Sequence, residues 1–192
     1  MNELHLRILS ISNKLGLAHR GSCLTAVNII DEIYTTKKGG DPFILSCGHS
    51  GLALYVVLEK YYGLDAEELY HKHGTHPTRD WDSKIWCSTG SLGHGLPIAV
   101  GMAIADRKRD IYCLISDGES MEGSIYESAN IIRKYNLTNL KLYLNFNGWT
   151  GYDKVETWML HNLMVLFPFI ELRMTRVEDY NLQGLSAHYV TS

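Results

Sequence analysis

This chain predicts an α/β fold: a doubly wound, mostly parallel sheet with helices on both faces. Three observations predict it. Apolar stretches at 43–46, 111–115 and 140–144 read as strands, the run at 111–115 as a buried one. Segments of helical periodicity separate them, the alternation expected of β-α-β units. Polar turns rich in Gly, Asp and Asn follow the strands, at the edge where an open parallel sheet binds ligands. With 192 residues, the chain is expected to form a single domain over 1–192 with a sizeable core.

The elements follow in order. Leu4 to Leu15 carries apolar residues at 4, 8, 11 and 15 and reads as an amphipathic helix. Ala18-His19-Arg20-Gly21-Ser22 interrupts it, with Ser22 expected to cap a second helix from Leu24 to Tyr34. The turn cluster Lys37–Pro42 precedes the strand Phe43–Ser46, and Gly48-His49-Ser50-Gly51 opens a helix from Leu52 to Tyr62. Asp65, with Glu68 three residues on, is expected to cap a short helix ending at His71. His71-Lys72-His73-Gly74-Thr75-His76 has none of the helical or finger spacings of a zinc site.

Trp86–Pro97 is the Gly-rich part of the chain, where the backbone can approach a ligand closely and a following helix start offers free N–H groups. It lacks the Gly-x-Gly-x-x-Gly register of a dinucleotide loop after a strand. A helix from Ile98 to Ala105 is expected to pack on Gly101 and its alanines. After the strand at 111–115 come the acidic turn Ser116–Gly123, a helix from Ile125 to Tyr135 and the strand Leu140–Leu144. Thr157–Leu166 reads as a helix, Phe167–Leu172 includes a strand, and Tyr189–Thr191 is a candidate last strand.

Asp117 and Asn147 therefore lie just past the ends of successive strands in one β-α-β unit. A carboxylate and an amide oxygen converging there suit a hard cation such as Mg2+, which takes a few protein oxygens and ligand phosphates. Ser116-Asp117-Gly118-Glu119, the following Glu122-Gly123, and Asn147 thirty residues after Asp117 resemble the thiamine-diphosphate motif of transketolases. His19-Arg20-Gly21-Ser22, the Phe43–His49 stretch, His76-Pro77 and Thr89-Gly90-Ser91-Leu92-Gly93-His94-Gly95 resemble further transketolase elements in the right order. The resemblance spans residues 7 to 155.

The resemblance implies roles. Asp117, Asn147 and the backbone carbonyl of Trp149 would hold Mg2+, and the Gly118 N–H would face a diphosphate oxygen. His19 would lie near the reacting oxygens of the substrate and His49 near the diphosphate, with His76 a third active-site histidine and all three serving orientation and proton movement; His73 is an alternative to His76. Gly90 and Leu92 would line the aminopyrimidine pocket, and Glu122 would reach across a subunit interface toward the cofactor. Departures from the family pattern are Thr75 for Gly, His94 for Gln, Ser116 for Gly, and Gly151 for an apolar residue beside the thiazolium.

The family's pyrimidine-binding domain, with its activating glutamate, is not expected within these 192 residues. The resemblance thus implies the diphosphate-binding subunit of a split transketolase-like enzyme that transfers a two-carbon ketol unit between sugars. A separate pyrimidine-binding subunit would complete it, as a heterotetramer. A decarboxylating enzyme like deoxyxylulose-phosphate synthase, or a non-catalytic cofactor- or partner-binding remnant, are the alternatives. A nicotinamide-dependent oxidoreductase is opposed by the missing fingerprint. A net charge of −3 gives no electrostatic case for nucleic acid or an anionic membrane. Neither a signal peptide nor a membrane span is expected, and four scattered cysteines fit reduced thiols in a cytoplasmic protein.

Overall fold

The computed structural model describes residues 1–182. Four parallel strands, β1 (Phe43–Leu45), β2 (Ile111–Ser116), β3 (Leu140–Phe146) and β4 (Glu171–Met174), form one sheet in the order β1-β2-β3-β4. Around it lie α1 (Glu3–Leu15), α2 (Arg20–Thr36), α3 (Gly51–Tyr62), α4 (Ala66–His73), α5 (Gly95–Ala105), α6 (Gly123–Tyr135) and α7 (Thr157–Leu166). The α/β class with a parallel sheet and helices on both faces is the one expected. The candidate strand at 189–191 lies outside the described residues.

The strand order advances in one direction, so right-handed crossovers place α5, α6 and α7 on the same face. There Leu96, Val100, Ile125, Ile132 and Leu163 meet Ile111, Ile115, Leu142 and Leu144. The opposite face is covered by α1, α2 and α3, which bring Ile11, Ile30 and Val57 into one core with Phe43, Leu45, Tyr112 and Leu114. β2 is buried on both sides, which explains its unbroken apolar run.

Helix ends follow local chemistry. Asn2 and His5 form a capping box at the start of α1, and Gly16 ends that helix in the left-handed region at φ 63°. Asp65 caps α4 by accepting the Glu67 and Glu68 N–H groups at 2.8 and 2.9 Å. That helix runs to His73, two residues past the expected end.

Two expectations are corrected. Ser22 is not a cap: it is buried in the first turn of α2, which starts at Arg20. The left-handed residue His19 (φ 58°) turns the chain, and its carbonyl already accepts the Cys23 N–H at 3.1 Å. Gly101 is not a packing point either. It faces outward with nothing within 4 Å of a Cβ placed there. α5 starts at Gly95, and Leu96, Ala99, Val100 and Ala103 set its buried face at helical spacing.

All four cysteines are free thiols, three of them buried. No helix among the described residues is long and apolar enough to cross a membrane.

Candidate functional site

The carboxyl ends of β1, β2 and β3 lie side by side, because the three strands are parallel and neighbours in the sheet. Each runs directly into a polar turn: Ser46–His49 after β1, Asp117–Met121 after β2, and Asn147–Trp149 after β3. A cavity of about 580 Å³ opens over these three turns. A slightly larger one, about 660 Å³, sits at the amino ends of β2 and β3, away from these turns.

Asp117 and Asn147 form the floor. The Asp117 side chain is 1% exposed. Its Oδ1 accepts the Gly118 N–H at 3.0 Å, and its Oδ2 accepts the Gly148 N–H at 2.7 Å. Burial pushes its pKa up to about 7, against the opposing pull of backbone N–H groups led by that of Gly148. Asn147 Oδ1 accepts the Trp149 N–H at 3.0 Å, and Trp149 lines the cavity beside it. The Trp149 ring also carries the Lys154 ammonium at 5.5 Å from its centroid.

Among the described residues, no group of three or more His, Cys, Asp or Glu side chains could hold a metal ion. This covers the histidine run at 71–76. An oxygen set of one carboxylate, one amide and one backbone carbonyl contains only one residue of those types.

Three histidines line the same cavity. His19 holds the turn into α2, and His49 sits in the 3₁₀ turn after β1. Their rings are 5.3 Å apart. Burial lowers the His19 pKa, and the positive charge that His76 can carry lowers it further. His76 lines the cavity and packs against Gly90, where an added Cβ would lie 3.2 Å from its ring. His73 does not: it packs near Tyr55, with Nε2 3.4 Å from Asp80. Between the two alternatives, His76 is the one at the cavity.

Gly90 and Leu92 from the Gly-rich loop line the same cavity, as do Gly118 and Glu122 from the turn after β2. The Gly-rich loop comes this close because Gly48 has no side chain. A Cβ there would lie 2.7 Å from the Thr89 carbonyl and 2.8 Å from the Gly90 nitrogen. His94 is exposed at the start of α5, outside the cavity lining. All ten residues singled out in the sequence thus meet at one cavity.

Sequence reasoning missed others. Met121 and Met159 also line the cavity and add apolar surface to it. Met159 comes from α7, in the part of the chain with least motif content. Glu119 was passed over, although Ser116-x-x-Glu119 is a readable capping box.

The family model described as "Transketolase, thiamine diphosphate binding domain" matches residues 12–183. An apulose-4-phosphate transketolase subunit of Phocaeicola vulgatus is 35% identical over 163 residues, covering 73% of this chain and 57% of that protein. A 6-deoxy-6-sulfo-D-fructose transketolase subunit (SqwG) of Clostridium sp. is 32% identical over 166 residues, covering 76% of this chain and 60% of that one. The transketolase of Mycoplasma genitalium is 29% identical over 206 residues, 91% of this chain but 32% of its own length. This chain spans little more than half the length of the subunit relatives it matches. The chain belongs to the transketolase family, through that family's thiamine-diphosphate-binding domain.

Proposed function

We propose that this chain is the diphosphate-binding part of a thiamine-diphosphate-dependent enzyme transferring a two-carbon ketol unit between sugar phosphates or related sugars. A separate pyrimidine-binding subunit would complete the site, in a heterotetramer. The observation that carries this reading is the Asp117–Gly148 hydrogen bond of 2.7 Å, which locks the acidic turn and the Asn147 turn into one floor beneath three histidines. Relatives named as transketolase subunits support the split arrangement.

The residues present fit the cofactor and its metal. Asp117 is a desolvated carboxylate whose protein partners are backbone N–H groups, so a cation would supply the opposite charge that burial calls for. Its oxygens, the Asn147 amide oxygen and the Trp149 carbonyl are hard donors of the kind Mg2+ takes. His49 would donate to the diphosphate, as would the Gly118 N–H on turning from Asp117 Oδ1, and Gly90 and Leu92 would bound the aminopyrimidine. Thiamine diphosphate, when bound, supplies the carbon–carbon bond chemistry that protein side chains lack.

The remaining roles belong to this chain. His19, held largely neutral by burial, can accept a proton from a substrate hydroxyl near pH 7. His76, on the more exposed side, would orient the same oxygens. Glu122 would face the partner subunit from the rim, next to Met121 and to Tyr152, which is 88% exposed.

Calorimetric titration of thiamine diphosphate into the purified chain, with Mg2+ and then with chelator, tests the reading. Mg2+-dependent binding is expected, tightened by a pyrimidine-binding subunit. Binding indifferent to Mg2+, or none even with such a subunit present, would overturn it. With the complex in hand, a ketose donor is expected to support turnover; a requirement for pyruvate instead would transfer the chain to the decarboxylating alternative.

A further inference from the structure

Glu119 is the most deeply buried carboxylate beside the cavity, 0% exposed, and it does not line the cavity itself. Its two oxygens face different parts of the fold. Oε1 accepts the Ser46 hydroxyl at 2.5 Å and the Gly93 N–H at 2.9 Å. Oε2 accepts the Ser116 N–H at 2.9 Å, with the Ser116 hydroxyl at 3.5 Å. One carboxylate thus joins the end of β1, the Gly-rich loop and the end of β2.

The Gly93 peptide is held from its other side too. Its carbonyl accepts the Ser124 hydroxyl at 2.8 Å, from the first turn of α6. Gly93 has φ 78°, and a Cβ there would collide with Glu122 and Ser124. The Glu122 N–H in turn donates to the Glu119 carbonyl at 3.0 Å. Gly93 therefore sits between Glu119 and Ser124 and lies against Glu122. Desolvating a carboxylate this completely is costly unless it is hydrogen-bonded, and these donors offset that cost only while all three segments keep their places. A side chain used only to fill the core would need no charge.

We propose that Glu119 is a positioning residue for the cofactor pocket: through the Gly93 peptide it fixes the loop bearing Gly90 and Leu92 against the turn bearing Asp117 and Glu122. The two walls of the cavity then form as one unit before any ligand arrives. The inference rests on the proposed function only for the identity of that ligand.

The test uses Glu119→Gln, which keeps the shape of the side chain but sets an amide N–H2 against either Ser46 and Gly93 or Ser116. In the ligand-free chain, the Gly93 amide is expected to exchange with solvent at least tenfold faster than in the wild type. At a temperature where the variant is fully folded, its dissociation constant for thiamine diphosphate with Mg2+ should rise at least tenfold. Ser124→Ala, which removes the other hold on Gly93, should weaken binding in the same direction. The double variant should lose less than the sum of the two, because both act through one peptide. Unchanged exchange at Gly93, or unchanged affinity in a folded Glu119→Gln chain, would overturn the proposal; a merely structural role would lower the melting temperature alone. Should Glu119→Gln not fold, wild-type exchange and affinity in Ser124→Ala would overturn it equally. Absence of cofactor binding by the wild type, alone or with a partner, would count against the proposed function, leaving Gly93 exchange to decide on the clamp.

Discussion

Asp117 Oδ2 accepts the Gly148 N–H at 2.7 Å, so the ends of β2 and β3 are tied together by the carboxylate proposed to hold the metal. One side chain thus shapes the turn that presents Asn147 and supplies the charge of the floor.

Asp117→Asn separates these tasks. The amide retains an acceptor for one of the two backbone N–H groups, so the apo chain should lose about one hydrogen bond, about 1 kcal/mol. For a domain of this size that lowers the melting temperature by about 2–4 °C. Mg2+-dependent affinity for thiamine diphosphate should fall far more, by at least about tenfold, or about 1.4 kcal/mol. Calorimetry beside thermal melting reads both; equal affinity in variant and wild type would remove Asp117 from the metal site.

Two glycine substitutions should act in opposite directions. Gly48→Ala drives a Cβ to 2.7 Å from the Thr89 backbone, which cannot yield without moving the Gly-rich loop. Overpacking of this kind costs about 1–3 kcal/mol, and cofactor affinity should drop with it. Gly101→Ala meets nothing within 4 Å in an exposed stretch of α5. It should stabilise the chain by up to about 1 kcal/mol through helix propensity. Chemical denaturation of the two variants checks the contrast.

Asn139 holds the α5–β2 connection to the start of β3. Its buried Nδ2 lies 3.0–3.1 Å from the carbonyls of Ala103, Asp106 and Arg109. Asn139→Ala leaves those carbonyls without this donor and should cost about 1–3 kcal/mol. The loss should appear in denaturant midpoints, with the cofactor site, at the opposite end of the strands, unaffected.

Acidification should loosen the contact between α1 and the segment around Tyr180. The His5 ring is buried, stacks on Tyr180 at 5.1 Å, and has Nε2 3.0 Å from the tyrosine hydroxyl. Burial lowers its pKa below the ordinary 6.5; a hydrogen bond to the Leu24 backbone opposes this and the N-terminal charge adds to it. The unfolded chain therefore takes up the proton first, so the stability is fully present above pH 6.5 and is lost as pH falls through the lower folded value. Melting temperatures between pH 7 and 5 should fall more steeply for the wild type than for His5→Gln. Parallel slopes would show that another group governs this range.

Periodicity and turn chemistry in the sequence were enough to predict the parallel α/β class and the strands at 43–46, 111–115 and 140–144. The stretches at 43–45 and 111–115 are buried throughout and their apolar runs are continuous, whereas Lys141 interrupts the one at 140–144. The resemblance to transketolase motifs in the right order singled out His19, His49, Asp117 and Asn147, each within a few residues of a strand end or helix start.

Tertiary structure alone decided which side chains share a space. That His76 and not His73 reaches the cavity depends on the packing of α4 against α3, which turns His73 toward Tyr55 and Asp80. The inward face of α5 is the one carrying Leu96, Ala99, Val100 and Ala103, which meets the sheet and leaves Gly101 on the outer side. The capping box of Ser116 and Glu119 is local and readable, but only the folded chain brings Ser46 and Gly93, 73 and 26 residues away, to the same carboxylate. Local sequence specifies the elements through short-range sterics and hydrophobic period. The site is assembled by contacts between distant segments, and those exist only once the sheet has brought its strand ends together.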